Sequence, residues 1–163
     1  YQSVLLGGHC VPEDLLWKNC PPEEQGNFDY LMDVIDWEAN VDPKFKEHRF
    51  MRPIVDKEDE KHKEEWICYK SKLACAKRLT VYPGQTVTVK DSAAYGFILI
   101  EGHGKFGKWD IETPTLIRYG ELTNDEFFVT EKAAKKGIKI TNESKTENIV
   151  MLKHFAENPD LNF

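Results

Sequence analysis

The stretch from Pro83 to Gly104 constrains the fold of this chain more than any other part of its sequence. It reads PGQTVTVKDSAAYGFILIEGHG, so that a Pro-Gly pair and a Gly-His-Gly turn enclose two apolar runs of strand length. Pro-Gly pairs and closely spaced glycines are typical of tight turns, and alternating valine and threonine is typical of a half-buried strand. The stretch therefore predicts two short strands within an antiparallel barrel or sandwich.

Further short strands are predicted on both sides of this stretch, separated by Gly, Pro and Asn. Including the two above, the predicted strands are Arg49 to Val55, Trp66 to Lys70, Ala74 to Tyr82, Thr86 to Val89, Tyr95 to Glu101, Thr115 to Tyr119, Glu126 to Thr130, Gly137 to Thr141 and Ile149 to Phe155. The run Asp56 to Glu65 carries charge at every position except His62 and is predicted to be a solvated loop without a site. Lys132 to Lys136 fits a helical turn and an exposed loop equally well.

The Pro83 to Gly104 stretch resembles the first motif of the cupins, small β-barrels of the double-stranded β-helix class. In that family the Pro-Gly pair is followed by His-x-His, a carboxylate and a Gly-x-Gly turn. Here the two histidine positions fall on Lys90 and Ser92, and the carboxylate position falls among Tyr95, Gly96 and Phe97. The motif therefore keeps its turns and lacks its metal ligands.

A second cupin motif is recognisable from Asn124-Asp125 to Thr141-Asn142. Counting back from Asn142, the family's fourth ligand position falls on Ile138, which has no donor atom. The resemblance thus implies a cupin without the usual Fe, Mn, Ni or Zn site. We expect no metal and no other cofactor.

Residues 1–48 differ in kind from the barrel sequence. In the segment Val11 to Trp17, Pro12 is followed by two acidic residues, which is typical of a helix start. Pro21-Pro22 ends this predicted helix. Apolar residues from Phe28 to Trp37 then recur at helical spacing. The sequence predicts a mainly β protein: a cupin-type double-stranded β-helix barrel at 49–163, with a partly helical arm at 1–48 that packs on the barrel or on a partner.

The chain begins at Tyr1 within an apolar phrase, YQSVLLGG, and is expected to be a fragment of a longer protein. The order of a helical arm and then a barrel resembles the C-terminal half of a two-cupin protein of the mannose-6-phosphate isomerase type. That resemblance implies either a missing N-terminal cupin domain or a homodimer as the partner.

Alternation along the strands decides which side chains we expect inside. In TVTVK, Val87 and Val89 share one face, which turns Lys90 towards solvent if the valines are core. The hypothesis of an enzyme would be excluded if five apolar side chains filled the barrel interior, namely those of Phe97, Leu99, Phe128, Ile138 and Ile140. In the last strand the face with His154 and the face with Lys153 are both eligible for burial.

His154 is the one catalytic candidate, because its imidazole titrates near neutral pH. The ligand-binding candidates are Lys77, Lys90, Tyr95, Arg118, Lys139 and His154. Two interpretations stay open for the basic ones among them, together with Arg78 and Lys136: they converge on one sheet to hold a phosphate or carboxylate, or they are scattered surface side chains.

Three hypotheses on function follow, and the third is a ligand-sensing module that binds an anion without turning it over. The first is a non-catalytic accessory or dimerisation barrel with a small sugar-like or anionic ligand, which predicts an exposed apolar patch around Leu15, Trp17 and Leu31. The second is a metal-independent isomerase or other enzyme on small carbohydrates, which requires His154 within hydrogen-bond reach of a Lys, Glu or Tyr.

The acidic balance of the chain excludes a further class of partners. With 28 acidic and 22 basic residues the net charge is −6, which offers no basic face to a nucleic acid. No apolar run approaches the roughly 20 residues that cross a bilayer. We therefore expect neither nucleic acid nor membrane as a partner, and a cytoplasmic location.

Overall fold

The computed structural model describes residues 12–71, 73–114, 120 and 122–156. The chain divides into two compact units, residues 1–50 and 51–163, which we call the N-terminal unit and the β unit. None of the described helices is long and apolar enough to cross a membrane. The predicted packing of the N-terminal arm on the barrel or on a partner stays a prediction.

The described part of the N-terminal unit consists of short helices. They are α1 (Glu13–Trp17), α2 (Phe28–Val34), α3 (Trp37–Asn40) and α4 (Phe45–Arg49), with a single 3₁₀ turn at Pro22–Glu24. The apolar stripe expected to form one helix is divided between α2 and α3. The backbone of Ile35 is extended, and the Asp36 side chain then accepts a hydrogen bond from Ala39 N at 2.9 Å, so that a new helix begins.

Apolar side chains of the N-terminal unit are largely exposed within that unit's described residues. Trp17 is the exception: it is buried and meets the Phe28 ring edge-on at 5.0 Å. Of the residues expected to form an exposed apolar patch, Leu15, Trp17 and Leu31, Leu15 is 51% exposed, whereas the expectation is wrong for Trp17. Other exposed apolar residues are Met32, Val34, Trp37, Val41 and Phe45.

The β unit contains two antiparallel sheets. In chain order its strands are β1 (Ile54–Glu58), β2 (His62–Cys68), β3 (Cys75–Val81), β4 (Thr86–Val89), β5 (Tyr95–Glu101), β6 (His103–Phe106), β7 (Trp109–Glu112), β8 (Glu126–Val129), β9 (Ile138–Asn142) and β10 (Ile149–Phe155). The larger sheet has the order β1-β2-β3-β10-β5-β8 and the smaller one β4-β9-β6-β7. The prediction of a mainly β protein with N-terminal helices is confirmed.

The predicted strands match closely where apolar alternation is regular. The bounds of β4, β5 and β10 coincide with the prediction, and α5 (Glu131–Lys136) resolves Lys132 to Lys136 as helix. The β6–β7 hairpin was not predicted, and the predicted strand Thr115 to Tyr119 lies outside the described residues.

The prediction of a solvated loop at Asp56 to Glu65 is wrong. Its ends belong to β1 and β2, which pair antiparallel around a tight turn. The Asp59 side chain forms this turn by accepting hydrogen bonds from the backbone N–H groups of Lys61 and His62 at 2.8 and 2.9 Å. The charged run is therefore a hairpin whose second strand enters the larger sheet.

The apolar core lies on the inner faces of the strands. Phe97, Leu99 and Ile140 are each 1% exposed, as expected, whereas Ile138 is only partly buried. Phe128 is 73% exposed, so its predicted place in the interior is wrong. In β8 the alternation turns Phe127 inward instead, where its ring stacks on Phe97 at 5.3 Å.

The closing glycines of the first motif have a steric reason. At Gly102, with φ of +86°, a Cβ atom would lie 2.2 Å from the Asn148 carbonyl oxygen. At Gly104 a Cβ atom would lie 2.2 Å from the Thr141 carbonyl oxygen. Because backbone atoms cannot move aside cheaply, only glycine fits at these two turns.

Candidate functional site

Five charged side chains meet on the inner side of the larger sheet, and we call them the ion cluster: Asp56, Glu64, Lys77, Asp91 and Lys153. Each comes from a different strand or loop, and Asp91 follows β4 of the smaller sheet. The side chains of Glu64, Lys77, Asp91 and Lys153 are at most 1% exposed. Charged side chains are this deeply buried in proteins only when they are paired.

Two like charges stand opposite one another in the cluster. Lys153 of β10 pairs directly with Lys77 of β3 in the sheet register, an arrangement that is unfavourable for two ammonium groups. Asp91 lies against both: its Oδ2 accepts a hydrogen bond from Lys153 Nζ at 2.7 Å, and its Oδ1 lies 3.7 Å from Lys77 Nζ. Asp91 thus compensates the repulsion and links the two sheets.

Lys153 is held by a second carboxylate. Its Nζ donates a short hydrogen bond to Glu64 Oε1. The other oxygen, Glu64 Oε2, has no hydrogen-bond partner among the described residues and lies 3.6 Å from the Nζ of the half-exposed Lys57. That separation is an ion pair without a hydrogen bond. The Lys153 ammonium is therefore enclosed by two buried carboxylates.

A β-bulge brings the fifth member into the cluster. In β1 the pairing passes from Val55 opposite Glu65 to Lys57 opposite Glu64, so Asp56 has no partner in β2. The bulged residue is aimed inward, and Asp56 Oδ2 accepts a hydrogen bond from Lys77 Nζ at 2.9 Å. Asp56 remains 24% exposed and forms the outer limit of the cluster.

Aromatic rings surround the two lysines. Lys77 Nζ lies 4.5 Å from the centre of the Trp66 ring, and Lys153 Nζ lies 4.8 Å from that of Tyr95. Both ammonium groups also lie 5.8 Å from the Phe155 ring centre. Such contacts favour the charged form of the amines.

The surroundings of Lys77 and Tyr95 move the pKa values of both groups further above neutral pH. Burial opposes the charge of Lys77, but the neighbouring Glu64, Asp56 and Asp91 carboxylates outweigh it and raise its pKa above the ordinary value. Burial, reinforced by Asp91 and Glu64, raises the pKa of the Tyr95 phenol. Lys77 is therefore an ammonium and Tyr95 a neutral phenol near pH 7.

The residues at the cupin ligand positions do not fit a metal ion. Lys90 and Ser92 are exposed, and Ile138 is aliphatic. The buried carboxylates nearest to these positions are engaged by lysine ammonium groups. Among the described residues, no group of three or more His, Cys, Asp or Glu side chains is arranged to hold a metal.

Of the five ligand-binding candidates that the structure describes, it brings two together at the ion cluster. Lys77 belongs to the ion cluster, and Tyr95 lies against it. Lys90, Lys139 and His154 are exposed, and Arg118 lies outside the described residues. Lys139 pairs with Thr88, two residues before Lys90, so that Lys90 and Lys139 lie near one another at the outer face of the smaller sheet. That the basic residues converge on one sheet to hold a phosphate or carboxylate stays a prediction.

His154 does not meet the condition set for a catalytic histidine. The inward face of β10 is the one that carries Met151, Lys153 and Phe155, and His154 projects from the other. Its ring lies against the Cα side of Gly96, where a Cβ atom would be 3.0 Å away. No hydrogen bond joins it to a Lys, Glu or Tyr in the described chain. Its role as a catalyst stays an unsupported prediction.

A second feature of the β unit is open to solvent. Ten residues line a recess of about 330 Å³, which we call the aromatic groove: Phe106, Gly107, Lys108, Trp109, Phe127, Phe128, Val129, Thr130, Ala133 and Ile138. It lies where the β6–β7 turn, β8 and α5 meet. Trp109 and Phe128 are 55% and 73% exposed, so two aromatic rings face solvent at this recess.

Another recess, of about 600 Å³, belongs to the N-terminal unit. Charged residues contribute much of its lining, including Glu38, Asp42, His48 and Arg49. Asp42 accepts a hydrogen bond from Lys44 N, and this bond, together with the contact of His48 Nδ1 with Asp42 Oδ2 at 2.7 Å, lowers the pKa of Asp42. These are local contacts between neighbouring short helices.

Sequence reasoning missed Asp56, Glu64, Asp91 and Lys153. The first two lie in a run of charges that is typical of solvent, and lysine at position 153 is typical of an exposed face. One usable signal was present: Glu64 and Trp66 are two residues apart and so share a strand face, and Trp66 is 1% exposed.

Comparison with known proteins concerns the fold. No protein-family model matches the chain, and no curated protein matches it either. Similar solved structures include an RmlC-like cupin protein from Ralstonia eutropha, at 7% identity and a TM-score of 0.44, covering 68% of this chain and 71% of that one. A cupin 2 domain-containing protein from Halorhodospira halophila has 12% identity and a TM-score of 0.44, with coverage of 69% and 82%.

A third similar structure is the polyketide cyclase RemF from Streptomyces resistomycificus, at 8% identity and a TM-score of 0.42, covering 70% of this chain and 78% of that one. The resemblance to the mannose-6-phosphate isomerase type stays a prediction. The β unit has the antiparallel sheets that the sequence predicts, with the closing glycines of the first motif in place.

Proposed function

We propose that the β unit is a metal-free, non-catalytic cupin module that binds a small ligand as an accessory part of a larger protein. One observation carries this proposal: the Lys153 ammonium lies between the buried carboxylates of Glu64 and Asp91. A cation that is part of the chain thus takes the place beside inward carboxylates that a bound metal ion would otherwise occupy. A divalent ion added there would meet the repulsion of Lys77 as well.

The protonation states of the cluster support binding over catalysis. A general base near pH 7 needs a group that is deprotonated and within reach of a substrate. Lys77 is held charged, Tyr95 is held neutral, and the carboxylates of Glu64 and Asp91 contact ammonium groups. The alternative of a metal-independent carbohydrate isomerase rested on His154, and no contact of that side chain favours it.

The paired charges also support the accessory role. Because the inward carboxylates and lysines contact one another, we place the ligand at the surface of the β unit, where the aromatic groove lies. The sugar-like and anionic ligand classes both belong to this proposal. Dimerisation and the missing N-terminal cupin domain remain predictions that agree with it.

Metal analysis of the purified full chain tests the proposal. After incubation with Fe²⁺, Mn²⁺, Ni²⁺ or Zn²⁺ and gel filtration, we expect far less than one metal ion per chain. Asp91→Asn serves as the matched variant, because it would lower the metal content if the ion were bound beside the cluster. One equivalent of metal in the wild type that is lost in Asp91→Asn would overturn the proposal.

A further inference from the structure

The aromatic groove has the size of a small-molecule site. Its volume of about 330 Å³ lies at the lower end of the range for pockets that hold small ligands, about 300 to 1,000 Å³. Its floor is continuous with the core, because the rings of Phe106 and Phe127 lie 6.0 Å apart and each also contacts Phe97. A rigid apolar floor favours a ligand with a flat apolar body.

The nitrogen groups on the lining side chains are hydrogen-bond donors. Lys108 carries an ammonium group, which lies 4.7 Å from the centre of the Trp109 ring, and the Trp109 indole carries an N–H. The Thr130 hydroxyl caps α5 by accepting from Ala133 N at 3.4 Å, which leaves its O–H and one lone pair for another partner. The Gly107 N–H is used as well, in a hydrogen bond to the Lys139 carbonyl at 2.7 Å.

The charge of the groove is opposite to that of the chain as a whole. None of the ten residues that line it is acidic, although the net charge of the chain is −6. No ion pair joins Lys108 to a carboxylate among the residues that the structure describes. A carboxylate on the ligand would therefore find a cation at the rim and no repulsion from the walls.

We propose that the aromatic groove binds a small amphipathic acid, which is a planar apolar body bearing one carboxylate. This inference rests on the proposed function, since it selects the anionic ligand class for the same module. A sugar fits the groove less well, because its several hydroxyl groups each need partners, and the lining side chains supply only the Lys108 ammonium, the Trp109 N–H and the Thr130 hydroxyl among apolar walls. The apolar body packs on Phe106, Phe127 and Ile138, and the carboxylate meets Lys108.

Titration of the full chain with 2-naphthoate tests this inference, followed by calorimetry and by two-dimensional NMR of the tryptophan indole signals. The chain has four tryptophans, so the Trp109 signal is assigned by its absence in Trp109→Ala. Two comparison ligands accompany the probe: 2-naphthamide, which has the same body without charge, and methyl α-glucopyranoside. We expect saturable binding of 2-naphthoate at one site that shifts the Trp109 signal, and weaker binding of both comparison ligands.

Three variants separate the contributions. Lys108→Gln should weaken 2-naphthoate binding about threefold and leave 2-naphthamide binding unchanged, as expected for a half-exposed ion pair. Trp109→Ala should weaken both by about tenfold or more, because it removes the aromatic wall. Phe45→Ala, an equally exposed aromatic of the N-terminal unit, is the control and should change neither.

The inference is overturned if 2-naphthamide or the glucoside binds as tightly as 2-naphthoate, or if 2-naphthoate leaves the Trp109 signal in place. Absence of 2-naphthoate binding to a metal-free protein would also overturn it and leave the metal-free module standing. Stoichiometric metal would contradict the proposed function, whether or not 2-naphthoate binds in the groove.

Discussion

The ion cluster and the aromatic groove belong to the same β unit and reverse the usual distribution of side chains. The side chains of four of the five cluster members, all except Asp56, are at most 1% exposed, whereas the groove leaves Trp109 and Phe128 more than half exposed. Polar residues in a barrel interior ordinarily suggest a reactive centre. Here the charged residues pair with one another, and under the proposed function the exposed aromatic rings mark the surface for a ligand.

The largest effect is expected from removing the central ammonium. Lys153→Met keeps the length of the side chain and removes the ammonium group that lies between the buried carboxylates of Glu64 and Asp91. Such a change should lower the free energy of unfolding by about 3 to 5 kcal/mol, measured by urea denaturation. Lys139→Met on the exposed face of β9 is the matched control and should cost less than about 0.5 kcal/mol.

A double variant sharpens this result. Adding Glu64→Gln to Lys153→Met removes one of the two carboxylate charges that have lost the Lys153 ammonium and should recover part of the lost stability. Equal destabilisation by Lys153→Met and Lys139→Met would show that the cluster is not a closed, charge-paired interior.

An intermediate effect is expected at alkaline pH. The pKa of Lys77 and the pKa of Tyr95 are both raised above their ordinary values of 10.5 and 10.0. As the pH rises, the unfolded chain therefore loses these protons before the folded chain does. The contribution of the two protonated groups to the free energy of unfolding is complete below about pH 10 and is lost as the pH rises further. Each group should lower the free energy of unfolding by up to about 1.4 kcal/mol per pH unit above that point.

Urea denaturation at a series of pH values between about 8 and 12 measures this slope. Tyr95→Phe is the comparison, since it removes the phenol and keeps the ring beside Lys153. Its stability should fall less steeply with pH than that of the wild type. Identical slopes would mean that the Tyr95 phenol is not protected by the cluster.

The smallest effect is expected in the groove. Phe128→Ala should change the free energy of unfolding by no more than about 0.5 kcal/mol, because the ring is already 73% exposed. Phe97→Ala, which removes a ring of the same kind from the core, should cost about 3 to 5 kcal/mol. A loss above 2 kcal/mol in Phe128→Ala would assign the groove to the packed core and end the contrast with the cluster.

Regular alternation made much of the fold predictable. β4 carries apolar residues at every second position, β5 and β10 are largely apolar runs of strand length, and their bounds follow from these patterns. The β6–β7 hairpin was missed because HGKFGKWDIE is short, polar and rich in glycine, so each strand holds few apolar residues. Phe128 was misplaced because the run Phe127-Phe128 gives no sign of which ring faces inward.

The site was less predictable than the fold, and the reason is electrostatic. A buried charge is recognisable only through its partner, and the partners here lie far apart in the sequence: Lys153 binds Glu64 and Asp91, which are 89 and 62 positions away. Each residue alone is typical of a surface. The face of β10 that is buried could not be chosen from alternation, since both of its faces hold apolar residues.

The position of β10 in the larger sheet has a consequence for the order of folding. The last described strand of the chain lies between β3 and β5, near the middle of the sheet. During synthesis, β3 and β5 therefore cannot become parts of one sheet until residues 149–155, which form the strand between them, have emerged. Contacts of such large sequence separation form late, because the entropy of closing the loop must be offset first. We expect the β unit to fold as a whole only once residues 149–155 have emerged, with β10 as the strand that joins β3 to β5.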